Sequence, residues 1–199
     1  MIVSVCGLIG SGKSTLVKNI ANKNNFIEFQ EPVESNPFLE LYYKDPSRWS
    51  YAMQINLLFE RYKQMQEAYF RSLRGENIIV DSTIYSDSAF AMVQNWEHYF
   101  TKEEYKSYLN IYEVINSHTV YPDILIFLDL SPELALERIA KRSRDCESNI
   151  PIEYLQKLLV AYQNVLSKLN NHTNIVYIDA KMNENDVYNT VINIINKHK

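Results

Sequence analysis

The stretch that decides the fold covers residues 2–15 and reads IVSVCGLIGSGKST. Its first five residues are largely apolar, as in a buried strand, and residues 7–14 match the pattern G-x-x-x-x-G-K-[ST]. Glycines in this pattern let the backbone curl until its N–H groups point at phosphate oxygens, and the following helix adds the positive end of its dipole. The stretch therefore predicts a phosphate-binding loop between a strand and a helix.

The predicted loop suits a triphosphate donor such as ATP together with Mg²⁺. Lys13 is expected to reach the β- and γ-phosphates and to act in catalysis, and Ser14 to hold the metal ion. The residues expected around the phosphates are Gly7, Gly10, Ser11, Gly12, Lys13, Ser14 and Thr15. The alternative is a tight strand-to-helix turn with an incidental lysine.

Length and composition limit the number of domains and the classes of protein to which the chain can belong. The 199 residues suit a single domain over positions 1–199, and 46% hydrophobic with 22% charged residues is typical of a globular chain. A net charge of −4 leaves no broad basic face for nucleic acid. No apolar segment is long enough to span a membrane. The two cysteines form no disulfide framework or metal pattern, so we expect a cytoplasmic protein.

Short β-rich runs alternate with longer helical patterns, which predicts βαβ units and a parallel sheet. The predicted strands are residues 2–6, 26–30, 77–81, 123–129 and 174–179. Apolar residues keep helical spacing over about residues 47–73, which predicts a long helix. Ser131 and Thr101 are expected to cap helices, and Pro151 to open another.

Acidic residues follow two of these strands, at the edge where open parallel sheets bind ligands. Glu31 follows the second strand and is a candidate base for an attacking hydroxyl; a surface carboxylate is the alternative. Asp81 ends the third strand and is a candidate metal ligand; an N-cap of the next helix is the alternative.

Two further sets of residues have cationic or amide side chains. Arg138, Arg142 and Arg144 precede a polar loop, and this layout favours a lid over phosphates at about residues 138–149, against a solvated charged face. Gln54 and Arg61 are seven residues apart on the long helix and so share one face. An amide and a guanidinium on an apolar face suit the edge of a nucleobase. A surface salt bridge is the alternative for Arg61.

Together these motifs resemble the deoxyribonucleoside kinases, the family that includes deoxycytidine, deoxyguanosine and deoxyadenosine kinases. The resemblance covers most of the chain. Besides the loop, its carriers are Glu31-Pro32-Val33, Tyr43, Arg48-Trp49-Ser50, Gln54, Arg61, residues 81–87, Pro122-Asp123, the arginines and residues 150–155. It implies an α/β, three-layer P-loop kinase fold with a five-stranded parallel sheet flanked by helices, usually as a homodimer.

The resemblance also implies a reaction and roles. ATP would phosphorylate the 5′-hydroxyl of a deoxynucleoside for nucleotide salvage, with Glu31 as the base and Arg138 and Arg142 closing over the donor phosphates. The residues matching Tyr43 and Glu147 hold the sugar 3′-hydroxyl, and those matching Gln54, Arg61 and Asp87 read the base. The Arg61–Asp87 pair resembles members that accept deoxycytidine or purine deoxynucleosides rather than thymidine. With Asn36-Pro37-Phe38 and a small Ala91, the resemblance favours a purine, deoxyadenosine first, then deoxyguanosine or deoxycytidine.

One position departs from the family pattern. Most members carry arginine where this chain has Ser82, between Asp81 and Thr83. The lid arginines could compensate, activity could be low, or the chain could be a regulatory subunit. Two other functions stay open on the sequence: a nucleoside monophosphate kinase of the thymidylate kinase type, and a non-catalytic nucleotide sensor.

Overall fold

The fold is built on a five-stranded parallel sheet. The computed structural model describes residues 1–33, 35–142 and 150–198, without the side chain of Arg142. The strands follow the order β2-β3-β1-β4-β5 across the sheet. They are β1 (Ile2–Gly7), β2 (Ile27–Phe29), β3 (Ile78–Asp81), β4 (Ile124–Asp129) and β5 (Asn174–Asp179). All neighbouring strands pair in parallel, which confirms the predicted sheet.

Eight helices within the described residues cover both faces of the sheet. They are α1 (Lys13–Asn24), α2 (Leu39–Lys44), α3 (Pro46–Ser72), α4 (Ile84–Trp96), α5 (Lys102–Ser117), α6 (Pro132–Arg142), α7 (Ile152–Leu169) and α8 (Glu184–His198). Helices α1 and α8 pack on one face, and α3 and α7 on the other. None of these helices combines the length and apolar character that a membrane span requires.

The inner strands are apolar because both faces are covered. Every residue of β1 and of β3 is buried. Side chains from successive positions therefore pack on opposite faces, and Ile2 joins the cluster under α3 while Val3 joins the main core. The resulting core fixes the strand ends that carry the site.

Local signals set the helix boundaries. The predicted long helix over 47–73 runs from Pro46 to Ser72, because the Asp45 side chain accepts a hydrogen bond from the Arg48 N–H and proline opens the first turn. The expected capping box at Thr101 is confirmed. Ser131 accepts from the Leu134 N–H at 3.4 Å, as an N-cap does.

Two expectations needed adjustment. The second strand is shorter than residues 26–30, because β2 lies at the sheet edge and pairs only through Ile27–Phe29 with β3. Helix α2 was missed, since six residues are too few to show a clear periodicity.

The register brings the candidate residues to one edge. Val5 pairs with Asp81, and Phe29 pairs with Val80, so the loop after β1, the end of β3 and the segment after β2 meet at the carboxyl ends of the strands. Ligands of open parallel sheets bind at this edge.

Candidate active site

A cavity of about 700 Å³ lies at the carboxyl edge of the sheet. One end is lined by the loop after β1, and the other by side chains of α3 and α4. Residues at the loop end are Gly10, Gly12, Lys13, Ser14 and Thr15, and those at the helix end include Met53, Gln54, Leu57, Arg61, Phe90 and Gln94. Its volume is in the range of small-molecule and cofactor sites.

The glycine loop has the backbone that its sequence predicts. Gly10 has φ +81°, and a Cβ there would lie 2.8 Å from the carbonyl oxygen of Ala135, so the loop packs directly on α6. Gly12 precedes α1 with φ +96°, and a Cβ there would meet nothing within 4 Å. The loop thus presents backbone, rather than side chains, to the space at the start of α1.

The predicted loop residues divide into two groups. Gly10, Gly12, Lys13, Ser14 and Thr15 line the cavity, whereas Gly7 and Ser11 do not. A Cβ on Gly7 would lie 2.8 Å from the Leu128 carbonyl, and the Ser11 side chain is buried. The Lys13 ammonium donates to the carbonyls of Gly7 and Leu8 at 3.1 and 3.0 Å, which holds it over the loop.

Ser14 and Asp81 form the pair expected for a metal ion. The Ser14 hydroxyl donates to Asp81 Oδ2 at 2.6 Å, and Asp81 Oδ1 is buried without a partner. Burial raises the pKa of Asp81 above its ordinary value, against the opposing effect of Lys13. The N-cap alternative for Asp81 is wrong, because Thr83 caps α4.

Mg²⁺ prefers oxygen ligands and keeps several waters, so one hydroxyl and one carboxylate fit it. Among the described residues there is no cluster of three or more His, Cys, Asp and Glu that could hold a metal without such help. The buried, unpartnered Asp81 Oδ1 is the observation that supports the fit.

Arg61 connects the two ends of the cavity. Its guanidinium is 2% exposed, and Nη2 lies 2.5 Å from Glu31 Oε1 while Nη1 bonds to Asp87 Oδ1. Burial works to lower the pKa of Arg61, but Asp87 and Glu31 outweigh it and raise that pKa. The surface salt bridge considered for Arg61 is therefore wrong, since the pair is internal. Glu31 lines the cavity and is a quarter exposed, so its carboxylate faces the ligand space.

Asp87 stands behind Arg61 and does not line the cavity. The Tyr108 hydroxyl donates to Asp87 Oδ2 at 2.7 Å, and Arg61 Nη1 donates to Asp87 Oδ1. Burial raises the pKa of Asp87, against the opposing effects of Arg61, Gln54 and Tyr108. Asp87 can therefore act on a ligand through the cavity-lining residues that contact it, of which Arg61 is the charged one.

Gln54 is part of a second buried network. Its Nε2 donates to the Asp87 backbone carbonyl at 3.2 Å, and its Oε1 accepts from Gln94 Nε2 at 2.8 Å. Sequence reasoning missed Gln94. The available signal was its spacing: Gln94 follows Asp87 by seven residues, two turns of α4, and so lies on the same helix face.

Aromatic side chains form another part of the cavity wall. Tyr43, the expected sugar contact, lines the cavity and is 44% exposed. Tyr42, Tyr99 and Glu97 also line it and were not predicted from the sequence. Tyr154 lines it too; it belongs to residues 150–155, which carried the resemblance without an assigned role. Ala91 is buried and does not line the cavity, whereas Phe90 does, so the room expected from Ala91 is not at the cavity surface.

The lid lies largely outside the described residues. Arg138 lines the cavity, and its Nη2 donates to the Ala180 carbonyl at 2.7 Å. The side chain of Arg142, and all of Arg144 and Glu147, belong to the part of the chain that the structure does not describe. Their expected roles stay predictions.

Comparison with known proteins settles the family. The family model of the deoxynucleoside kinases matches residues 3–198. The chain belongs to the deoxynucleoside kinase family. A deoxyadenosine kinase of Dictyostelium discoideum is 35% identical over 177 residues, which are 89% of this chain and 71% of the relative. A deoxyadenosine/deoxycytidine kinase of Bacillus subtilis is 36% identical over 172 residues, 85% of this chain and 78% of the relative.

A solved structure agrees. This deoxynucleoside kinase superposes on a deoxyadenosine kinase of M. mycoides with bound dATP, with a TM-score of 0.87 and 32% identity over 98% of this chain and 100% of that one. The same M. mycoides kinase has also been solved with dCTP, at 31% identity and a TM-score of 0.88. The predicted P-loop kinase fold is confirmed, and the chain is an enzyme of the class that phosphorylates deoxynucleosides.

Proposed function

We propose that this deoxynucleoside kinase transfers the γ-phosphate of ATP to the 5′-hydroxyl of a purine deoxynucleoside, with deoxyadenosine preferred over deoxyguanosine and deoxycytidine. One observation carries the proposal: Lys13 on the glycine loop and the Glu31 carboxylate line the same cavity. A cavity that joins a phosphate-binding loop to a carboxylate can hold a donor and an alcohol acceptor together.

Glu31 is the general base in this reaction. As the nucleoside 5′-oxygen bonds to the γ-phosphorus, Glu31 takes the hydroxyl proton, and the bond between the γ-phosphorus and the bridging oxygen breaks to release ADP. Arg61 holds Glu31 Oε1 at 2.5 Å, so the carboxylate is oriented before the substrate arrives.

The loop binds the donor. Lys13 pairs with the β- and γ-phosphates, and the N–H groups around Gly10 and Gly12 bind their oxygens at the start of α1. Ser14 and Asp81 would hold Mg²⁺, which would supply positive charge to neutralise the donor phosphates. Arg138, Arg142 and Arg144 are proposed to complete the cation set over the donor.

The helix end of the cavity binds the nucleoside. Gln54 and Arg61 face the base and Asp87 fixes Arg61, while Tyr43 and Glu147 hold the sugar. The purine preference is supported by two related proteins, from D. discoideum and M. mycoides, that are named deoxyadenosine kinases. The B. subtilis relative, named a deoxyadenosine/deoxycytidine kinase, supports deoxycytidine as a further substrate.

The assembly is proposed to be a homodimer that pairs through α3 and α5. Phe59 and Phe70 are 53% and 58% exposed and lie three turns apart on one face of α3, and Val114 on the neighbouring α5 is 62% exposed. Light scattering of the wild type should give twice the mass of the 23.4 kDa chain. Phe59→Lys with Phe70→Lys should give monomers, and a monomeric wild type would refute the dimer.

The domain organisation and the cellular location are part of the same proposal. We propose a single kinase domain over residues 1–199 that acts in the cytoplasm, in nucleotide salvage for DNA precursor synthesis. Its substrates are small nucleosides, without a nucleic-acid or membrane partner.

The deciding experiment is a transfer assay with γ-labelled ATP. The acceptors are the four deoxynucleosides and their 5′-monophosphates, at equal concentrations. We expect label on deoxyadenosine first and little on the monophosphates. Faster labelling of a monophosphate would indicate a thymidylate kinase type, and thymidine turnover equal to that of deoxyadenosine would refute the purine preference. Tight triphosphate binding without transfer to any acceptor would indicate a regulatory subunit.

A further inference from the structure

Two buried glutamines form a relay with a fixed direction. The backbone carbonyl of Asp87 can only accept a hydrogen bond, so the Gln54 group that contacts it at 3.2 Å must be the amide nitrogen. Gln54 therefore turns its oxygen toward Gln94, and the Gln94 nitrogen donates to it at 2.8 Å. The orientation of both amides follows from one backbone carbonyl, and the relay ends at Gln94 Oε1.

That last oxygen is an acceptor without a donor. Gln94 is 1% exposed, it lines the cavity, and its Oε1 is buried without a hydrogen-bond partner. An unsatisfied buried polar group destabilises the folded protein, so such groups call for an explanation. A ligand that brings a donor to this wall of the cavity would remove the cost.

We propose that Gln94 is a specificity-determining residue whose Oε1 accepts a hydrogen bond from the exocyclic amino group of the nucleobase. The inference rests on the proposed function, because it assigns the α4 wall of the cavity to the base. Gln94 acts by direct contact with the substrate, whereas Asp87, two turns earlier on α4, acts through Arg61.

The chemistry of the bases makes this contact selective. Adenine carries an amino group at C6 and cytosine one at C4, whereas thymine has a carbonyl oxygen at the corresponding position. An amino group satisfies the Gln94 oxygen, but a carbonyl would place two acceptors against each other in a water-poor site. The relay therefore favours deoxyadenosine and deoxycytidine over thymidine.

The test removes the two partners one at a time. Deoxyadenosine is compared with purine 2′-deoxyriboside, which lacks only the 6-amino group, in the wild type and in Gln94→Met. We expect the wild type to prefer deoxyadenosine by about tenfold or more in kcat/KM, and Gln94→Met to reduce this preference to about threefold or less. Gln163→Met, the same change on the exposed face of α7, should keep the wild-type ratio.

The ratio also separates recognition from structure. If Gln94→Met lowers kcat/KM equally for both nucleosides, Gln94 only supports the fold and the proposal is overturned. An unchanged preference in Gln94→Met overturns it too. If Gln94→Met does not fold, Gln94→Asn, which withdraws the oxygen by one methylene, should reduce the same ratio.

Binding measurements keep this test distinct from the proposed reaction. Calorimetric titration of the same two nucleosides into the wild type and Gln94→Met should show the same loss of preference in Kd. A wild type that binds deoxyadenosine selectively but transfers no phosphate would refute the proposed function and leave the role of Gln94 supported. A wild type that binds both nucleosides equally would refute the role of Gln94.

Discussion

The two ends of the cavity are built in opposite ways. The phosphate end comes from nine consecutive residues, 7–15, and presents backbone groups together with Lys13 and Ser14. The base end comes from side chains of α3, α4 and α5 that are buried almost completely, such as Arg61, Asp87 and Tyr108. We infer that residues at the first end serve mainly the reaction, while residues at the second also support the fold.

The largest effect is expected at the phosphate end, for Lys13→Met. Removing a cation from the transferring phosphates should lower kcat by about 100- to 1,000-fold. The unfolding free energy should change by about 1 kcal/mol or less, since only the contacts to Gly7 and Leu8 are lost. Steady-state kinetics and urea unfolding measure the two quantities.

Lys106→Met on the exposed face of α5 is the matched control and should leave both quantities unchanged. A large loss of unfolding free energy in Lys13→Met would contradict the inference that residues at the phosphate end serve mainly the reaction.

The next effect is at the base end, for Asp87→Asn. The change leaves the buried Arg61 charge with one carboxylate, Glu31, instead of two, so we expect a loss of about 3 kcal/mol in unfolding free energy as well as weaker nucleoside binding. Glu67→Gln removes a surface partner of Arg71 on the same α3 helix and should cost less than about 0.5 kcal/mol. Equal costs for the two variants in urea unfolding would contradict the structural role of the base end.

A smaller effect concerns pH and Asp81, at the boundary between the ends. Because burial raises the folded-state pKa of Asp81, its contribution to stability is full below the unfolded pKa and is lost as pH rises through the folded one. Asp81→Asn cannot ionise, so it should melt at a higher temperature than the wild type at pH 7. The difference should shrink as pH falls toward 3.8.

Asp81→Asn should also lose activity, since the proposed metal ligand is gone. Asp129→Asn, at the exposed end of strand β4, should change neither melting nor activity. A melting difference for Asp81→Asn that is the same at pH 7 and pH 4 would contradict the assignment to its titration.

The smallest effect on turnover is expected for Ser82→Arg, measured on protein whose folding is first verified by circular dichroism, because position 82 is buried. The arginine that the family resemblance leads us to expect there is absent, but Arg61 already places a guanidinium 2.5 Å from Glu31. We therefore expect turnover to change by about threefold or less, whereas a rise of about tenfold would identify a missing contact. Ser82→Gly, which suits the observed φ of +68°, controls for loss of the serine side chain.

The same contrast explains what the sequence could predict. Residues 7–15 act through local backbone geometry, so their pattern alone was sufficient to predict the loop, and short β-rich runs between helical patterns predicted the five strands. The base end depends on which buried side chains meet across three helices, and the Gln54–Gln94 contact joins residues 40 positions apart. No local pattern encodes such a pairing. Asp81 was ambiguous because metal ligands and N-caps both occur after strands; the Thr83 cap removes the N-cap alternative, and the metal role stays a prediction.

The central claim is that Glu31 takes the proton of a nucleoside 5′-hydroxyl beside a triphosphate on the loop. Glu31→Gln tests it most directly, because the amide oxygen can still accept from Arg61 but cannot act as the base. We expect the single-turnover rate of transfer from γ-labelled ATP to deoxyadenosine to fall by about 100-fold or more, while the Kd for deoxyadenosine changes by less than about threefold. A wild-type transfer rate in Glu31→Gln, or a loss explained wholly by weaker binding, would contradict the claim.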